Sequence, residues 1–99
     1  MSTALTLTTG HQPDGTPVLT AAGEVDMSNA ADFAAALARA AEVAPGQLTV
    51  NLTALEYLDS AGLAVLFPHV ERIHLIASPL LAPVLTIAGL ADLMTVVSA

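Results

Sequence analysis

The sequence predicts an α/β domain built on a mixed β-sheet, and three observations lead there. Short apolar segments at residues 4–8, 18–23, 47–52, 73–77 and 93–97 have the length and alternation of strands. The first two are separated only by a Gly- and Pro-rich loop, whereas every later pair is separated by a stretch with helix signals. Strands joined by a loop pair antiparallel, and strands joined through helices run parallel. Third, 55% of the 99 residues are apolar and only 3% aromatic, so a core of Leu, Val, Ile and Ala is expected within one domain, residues 1–99.

Each element has its own justification. Residues 4–8, A-L-T-L-T, alternate apolar side chains with Thr, as a half-buried strand does. Residues 10–17, G-H-Q-P-D-G-T-P, carry an Asp-Gly turn signal, and residues 18–23 begin the second strand. Asp26, Ser28 and Asn29 are N-cap types and Asp32 adds first-turn charge, so a helix is expected over about 29–43. Its buried stripe would be Phe33, Leu37 and Ala40 or Ala41, its outer face Asp32, Arg39 and Glu42, and its end Pro45-Gly46. Residues 47–52 form the third strand. A short helix from about 61 to 66 follows, which Pro68 cuts off. Residues 73–77 form the fourth strand. Ser78-Pro79 reads as N-cap and first position of a last helix, or else regular helix runs only from Pro83 to Ala88; Gly89 fits its C-cap. Residues 93–97 close the sheet, and no repeat or linker interrupts the order.

Composition excludes several functions. Nine acids face two arginines, Arg39 and Arg72, with no Lys, for a formal charge of −7. Nucleic acid and anionic membrane are poor partners for such a surface, and a basic protein surface is a natural one. There is no Cys and hence no thiol chemistry. The N-terminus has no basic segment followed by an apolar one, so no secretory signal is read and cytoplasm is the expected compartment. Residues 75–91 carry no charge, but Ser78-Pro79, Pro83 and Gly89 divide them into a strand end and a short helix rather than a membrane span.

The stretch L-E-Y-L-D-S-A-G-L-A-V-L, residues 55–66, places Asp59 and Ser60 between an apolar strand and an apolar helix, with Gly62 close behind. By residue type and position, Asp59 or Ser60 is the N-cap of the helix. Gly62 would allow the backbone of another chain to approach. A hydrolase elbow, G-x-S-x-G, is half matched, since Leu58 occupies the first Gly position. Glu71 and His74 follow Ser60 in the usual order of acid and His, but so close together that convergence on it is difficult.

The same stretch, extended back to N-L-T-A at 51–54, resembles the central motif of the STAS-domain family, of the bacterial anti-sigma-factor antagonist type. There a strand leads to a D-S-x-G-L turn and helix. A-A-G-E-V-D at 21–26 resembles the family's G-E-hydrophobic-D segment, and S-P-L-L-A-P-V-L-T-I-A-G-L at 78–90 resembles its S-P…G-L helix. The resemblance covers nearly the whole chain and has the element order derived above. From Asp59 to Pro79 the chain is about two helical turns shorter than the family pattern, so the helix after the Asp-Ser turn should be short. The resemblance implies that Ser60 is a phosphorylation site and that Asp26, Asp59, Ser60, Ala61, Gly62 and Leu63 belong to a partner-binding face. It implies as partner a kinase-type anti-sigma factor of histidine-kinase-like fold: the unmodified domain captures that kinase and so frees a sigma factor, and the kinase, using ATP and Mg²⁺, phosphorylates the serine and ends the complex. A metal-dependent protein phosphatase would reset it. The domain is then substrate and ligand, not an enzyme, and holds no cofactor of its own. The alternative within the resemblance is an interaction module of a transporter ATPase or signalling assembly that is never phosphorylated.

The remaining polar residues say less. His69 and His74 flank Glu71 and Arg72 without a usual metal-ligand spacing, so no metal site is read there. Asn51 at a strand end reads as a turn-stabilising side chain. Glu24 is a solvated strand-end acid or a rim contact. Apolar segments F-P-H-V and L-L-A-P-V-L either cover the sheet or mark a face for self-association.

Overall fold

The computed structural model describes residues 4–90, 93 and 95–98. Five strands lie side by side in sequence order: β1 (Thr6–His11), β2 (Pro17–Val25), β3 (Leu48–Leu58), β4 (Ile73–Ala77) and β5 (Val96–Ser98). β1 and β2 pair antiparallel, and the other three junctions are parallel. The parallel junctions are bridged by α1 (Ala30–Val43), α2 (Ser60–Leu66) and α3 (Ala82–Ile87). A 3-10 turn, Phe67–His69, extends α2. The sheet is mixed in the way the loop lengths predict.

Hydrophobic periodicity explains the core. α1 buries Phe33, Leu37, Ala40 and Ala41, one stripe at helical spacing, against β2 and beside α2. The sheet contributes Leu19, Ala21 and Val25 from β2, Leu48, Val50 and Leu52 from β3, and Ile73, Leu75 and Ala77 from β4, all buried. Burying one such Leu side chain fully is worth roughly 1.5–3 kcal/mol, so these layers carry most of the drive to fold. α1 stops where Ala44 turns extended ahead of Pro45, its N–H still bonded to the Ala40 carbonyl at 3.1 Å.

Several boundaries differ from the sequence reading. β1 starts and ends later, because Gly10 and His11 pair with Val18 and Pro17 and only Gln12–Thr16 forms the loop. That loop is closed by Gln12 N–H donating to the Thr16 carbonyl at 2.8 Å, and Gly15 supplies its left-handed φ of +90°. Pro17 is tolerated as the first residue of a strand. The third strand does not stop at residue 52: β3 runs eleven residues to Leu58. Asn51 thus lies inside the strand, at the register shift between Thr20 and Ala22, and its Oδ1 accepts from Thr53 N (3.0 Å) and Thr53 Oγ1 (2.7 Å). It stabilises a bulge rather than a strand end.

The second reading of the last helix comes closest. Ser78 closes a turn, its carbonyl accepting from Leu81 N (3.1 Å) and Ala82 N (3.0 Å), and regular helix begins at Ala82 with Pro83 in its first turn. The helix is capped by Ala88, and Gly89, φ +86°, takes the left-handed position directly after that cap. β5 is displaced to Val96–Ser98; of the segment read as strand, Met94 lies outside the described residues. Among the described residues no helix is long and apolar enough to cross a membrane.

Candidate functional site

The C-terminal ends of β2 and β3 finish together: Val25 stands in register with Leu58. Each strand then turns into a helix, so Asp26 and Asp59-Ser60 leave the same edge of the sheet. Asp59 N–H donates to the Val25 carbonyl at 3.2 Å and ties the second turn to the first strand.

Asp59 is the cap. Its Oδ1 accepts from Ala61 N (2.9 Å) and Gly62 N (3.1 Å), and its carbonyl accepts from Leu63 N (3.0 Å). Two of the unpaired N–H groups at the start of α2 are thereby satisfied. Ser60 is the first residue of α2 and is exposed, so the choice left open between Asp59 and Ser60 falls on Asp59. Ala61 and Leu63 are half-buried, and Leu63 packs against the core.

Gly62 is buried, and the reason differs from the one expected. A Cβ there would lie 2.4 Å from Leu58 Cδ1 and 2.8 Å from Val25 Cγ1. The close approach is to side chains of the protein's own strand ends, not to another chain. Gly62 lets α2 start directly on the sheet edge.

The β2–α1 turn is held differently. Asp26 Oδ1 accepts from Ser28 N at 2.8 Å and from the Ser28 hydroxyl. The hydroxyl bond, then the backbone bond, hold the Asp26 carboxyl below the usual carboxylate range, against a smaller opposing effect of burial. Asn29 precedes α1 but does not cap it with its side chain. Its Oδ1 accepts from Asp26 N (3.0 Å) and its Nδ2 donates to the Glu24 carbonyl (2.9 Å), stapling strand to helix. Glu24 is within β2, opposite Tyr57.

Met27 stands between these polar residues and is 85% exposed. Sequence reasoning passed over it. The available signal was an apolar side chain inside a tight run of cap residues, where no helical or strand period could bury it.

Glu71 and His74 lie elsewhere. His74 pairs with Thr49, near the start of β3, whereas Ser60 follows its end. At about 3.3 Å per strand residue that is a separation of roughly 30 Å. The acid and histidine of the half-matched elbow therefore do not converge on the serine. Among the described residues no three His, Asp or Glu side chains come together as metal ligands.

Comparison with known proteins places this geometry. The model of a family described as "Mlab, STAS domain" matches residues 9–97. Among solved structures, the chain is similar to an anti-sigma factor antagonist from Mycobacterium paratuberculosis, with 25% identity and a TM-score of 0.85 over 95% of this chain and 86% of that one. It is also similar in fold to the anti-sigma factor antagonist SpoIIAA in its unphosphorylated form, with 21% identity and a TM-score of 0.70 over 92% and 87% of the two chains. A STAS domain of an antisigma-factor antagonist from Rhodobacter sphaeroides matches at 16% identity and a TM-score of 0.56, over 74% and 84%. No curated protein matches the chain in sequence.

Proposed function

The chain belongs to the STAS-domain family, and from that premise we propose that it is an anti-sigma-factor antagonist switched at Ser60. In the unphosphorylated state it binds a kinase-type anti-sigma factor and so releases a sigma factor. Phosphorylation of Ser60 by that kinase ends the complex, and a protein phosphatase restores it. The binding face comprises Asp26, Asp59, Ser60, Ala61 and Leu63, with Gly62 as the buried spacer beneath them and Met27 as an apolar contact at the rim.

One observation carries the reading. The cap of α2 is made by Asp59, which leaves the exposed Ser60 hydroxyl unneeded for the fold. Its modification can change the surface without unfolding the helix. A phosphate adds roughly −1.5 to −2 charges. It would enter beside Asp59, on the edge that Asp26 shares, in a domain of formal charge −7. An interface matched to a neutral hydroxyl would meet like-charge repulsion and uncompensated desolvation. The similarity to the M. paratuberculosis antagonist supports the class of partner.

Affinity capture from host extract with wild type, Ser60→Ala and Ser60→Asp tests the proposal. A histidine-kinase-like anti-sigma factor should be caught by the first two and lost with the third, while all three melt within a few degrees of one another. Capture of that factor by all three alike overturns the switch. Capture of a transporter ATPase or scaffold equally by all three supports the unphosphorylated interaction module instead.

A further inference from the structure

A concave site lies at the end of the sheet opposite Ser60. A groove of about 700 Å³ opens between the β1–β2 hairpin and the C-terminal half of α1. Along one wall Leu7, Thr9 and His11 alternate on β1 and so project to one face. Along the other, Ala36, Arg39, Ala40 and Val43 recur at helical spacing. Buried Leu19 lies beneath. The groove persists because positions 36 and 40 carry only methyl groups, where longer side chains would close the gap. Its size is that of a small-molecule pocket, roughly 300–1,000 Å³.

Charge selects the occupant. Among the described residues no acid lines the groove, although acids outnumber arginines nine to two in the sequence. Of those arginines, Arg72 directs its guanidinium to the Ala44 carbonyl (2.9 Å) and the Gly46 carbonyl (3.4 Å). Arg39 is exposed on the groove wall, and His11 lines it from the facing strand. An apolar trough with a guanidinium at its side complements an alkyl chain that ends in a carboxylate, which a guanidinium can hold through two parallel hydrogen bonds. We propose that this groove binds a medium-chain alkyl carboxylate. The chain lies along Leu7, Ala36, Ala40 and Val43, and the head group pairs with Arg39. The site is independent of the Ser60 face.

Titration of the methyl-labelled protein with decanoate, below its micelle concentration, tests this by NMR. Saturable shifts should appear at the Leu7, Val18 and Val43 methyls and leave Leu63 unmoved. Arg39→Gln should weaken binding roughly tenfold, the scale of one lost charge-assisted hydrogen-bond pair. Ala36→Leu should abolish it by filling the groove, with a melting curve to show that the variant folds. Decyltrimethylammonium, of the same chain length and opposite charge, should bind at least tenfold more weakly than decanoate. Non-saturating shifts, shifts spread over other faces, equal response to the two amphiphiles, or an unchanged affinity in Arg39→Gln would each overturn the proposal.

Discussion

The two turns at the C-terminal edge of the sheet use the same residue types for opposite ends. β2 leads into α1 through Asp26 and Ser28; β3 leads into α2 through Asp59 and Ser60. In the first turn the aspartate takes both the backbone N–H and the hydroxyl of its serine. In the second the aspartate reaches past its serine to the N–H groups of Ala61 and Gly62. One residue of spacing makes the difference. A serine two positions after the acid falls within reach of its carboxylate, whereas a serine directly after it becomes the first helical residue and faces water. Adjacency of an acid and a hydroxyl therefore does not mean that they are bonded to each other.

The largest effect that would break this comparison comes from Gly62. Gly62→Val should cost about 2–3 kcal/mol, as overpacking against Val25 and Leu58 forces strand ends and helix apart. The loss would be read as a lowered midpoint in urea with an unchanged slope. Next comes the asymmetry between neighbours. Asp59→Ala should lose about 1 kcal/mol with its cap, and Ser60→Ala should stay within about 0.5 kcal/mol of wild type. Equal losses at the two positions would mean that Ser60 shares the capping after all.

The smallest effect sharpens the first turn. Ser28→Ala removes the hydroxyl bond that leads in depressing the Asp26 pKa, so that pKa should rise toward the ordinary carboxylate value of 3.8. A folded-state pKa below the unfolded one stabilises the protein above the unfolded value, and the contribution is lost as pH falls through the folded one. The Ser28 contribution should therefore be present at neutral pH and fade only in the acid range below 3.8. A carboxyl-detected NMR titration of Asp26 in wild type and variant would measure it, and identical titration curves would refute the bond's role.

Much of this architecture could be read from residue order, and the failures have local physical causes. Phe33, Leu37, Ala40 and Ala41 mark α1 because a helix repeats its buried face on that spacing. Ile73, Leu75 and Ala77 mark β4 by strict alternation. The second half of β3 escaped because Leu52, Leu55 and Leu58 are buried at intervals of three, after the bulge at Asn51 has broken the period of two. Asp59 and Ser60 were legible as a pair at a helix start, but which one caps depends on side-chain geometry. Gly62 was legible as necessary, yet its contacts depend on strand ends that meet only in the fold. The groove was not legible at all, since Leu7 and Ala36 are brought opposite each other by tertiary packing alone.

The bond from Asp59 N–H to the Val25 carbonyl has one further consequence. It joins two stretches of chain more than thirty positions apart, so the orientation of Ser60 is a property of the assembled sheet edge. An enzyme that modifies this serine would recognise a surface rather than a string of letters. A short peptide copied from residues 55–66 would contain every residue of the motif and still lack the shape that presents it.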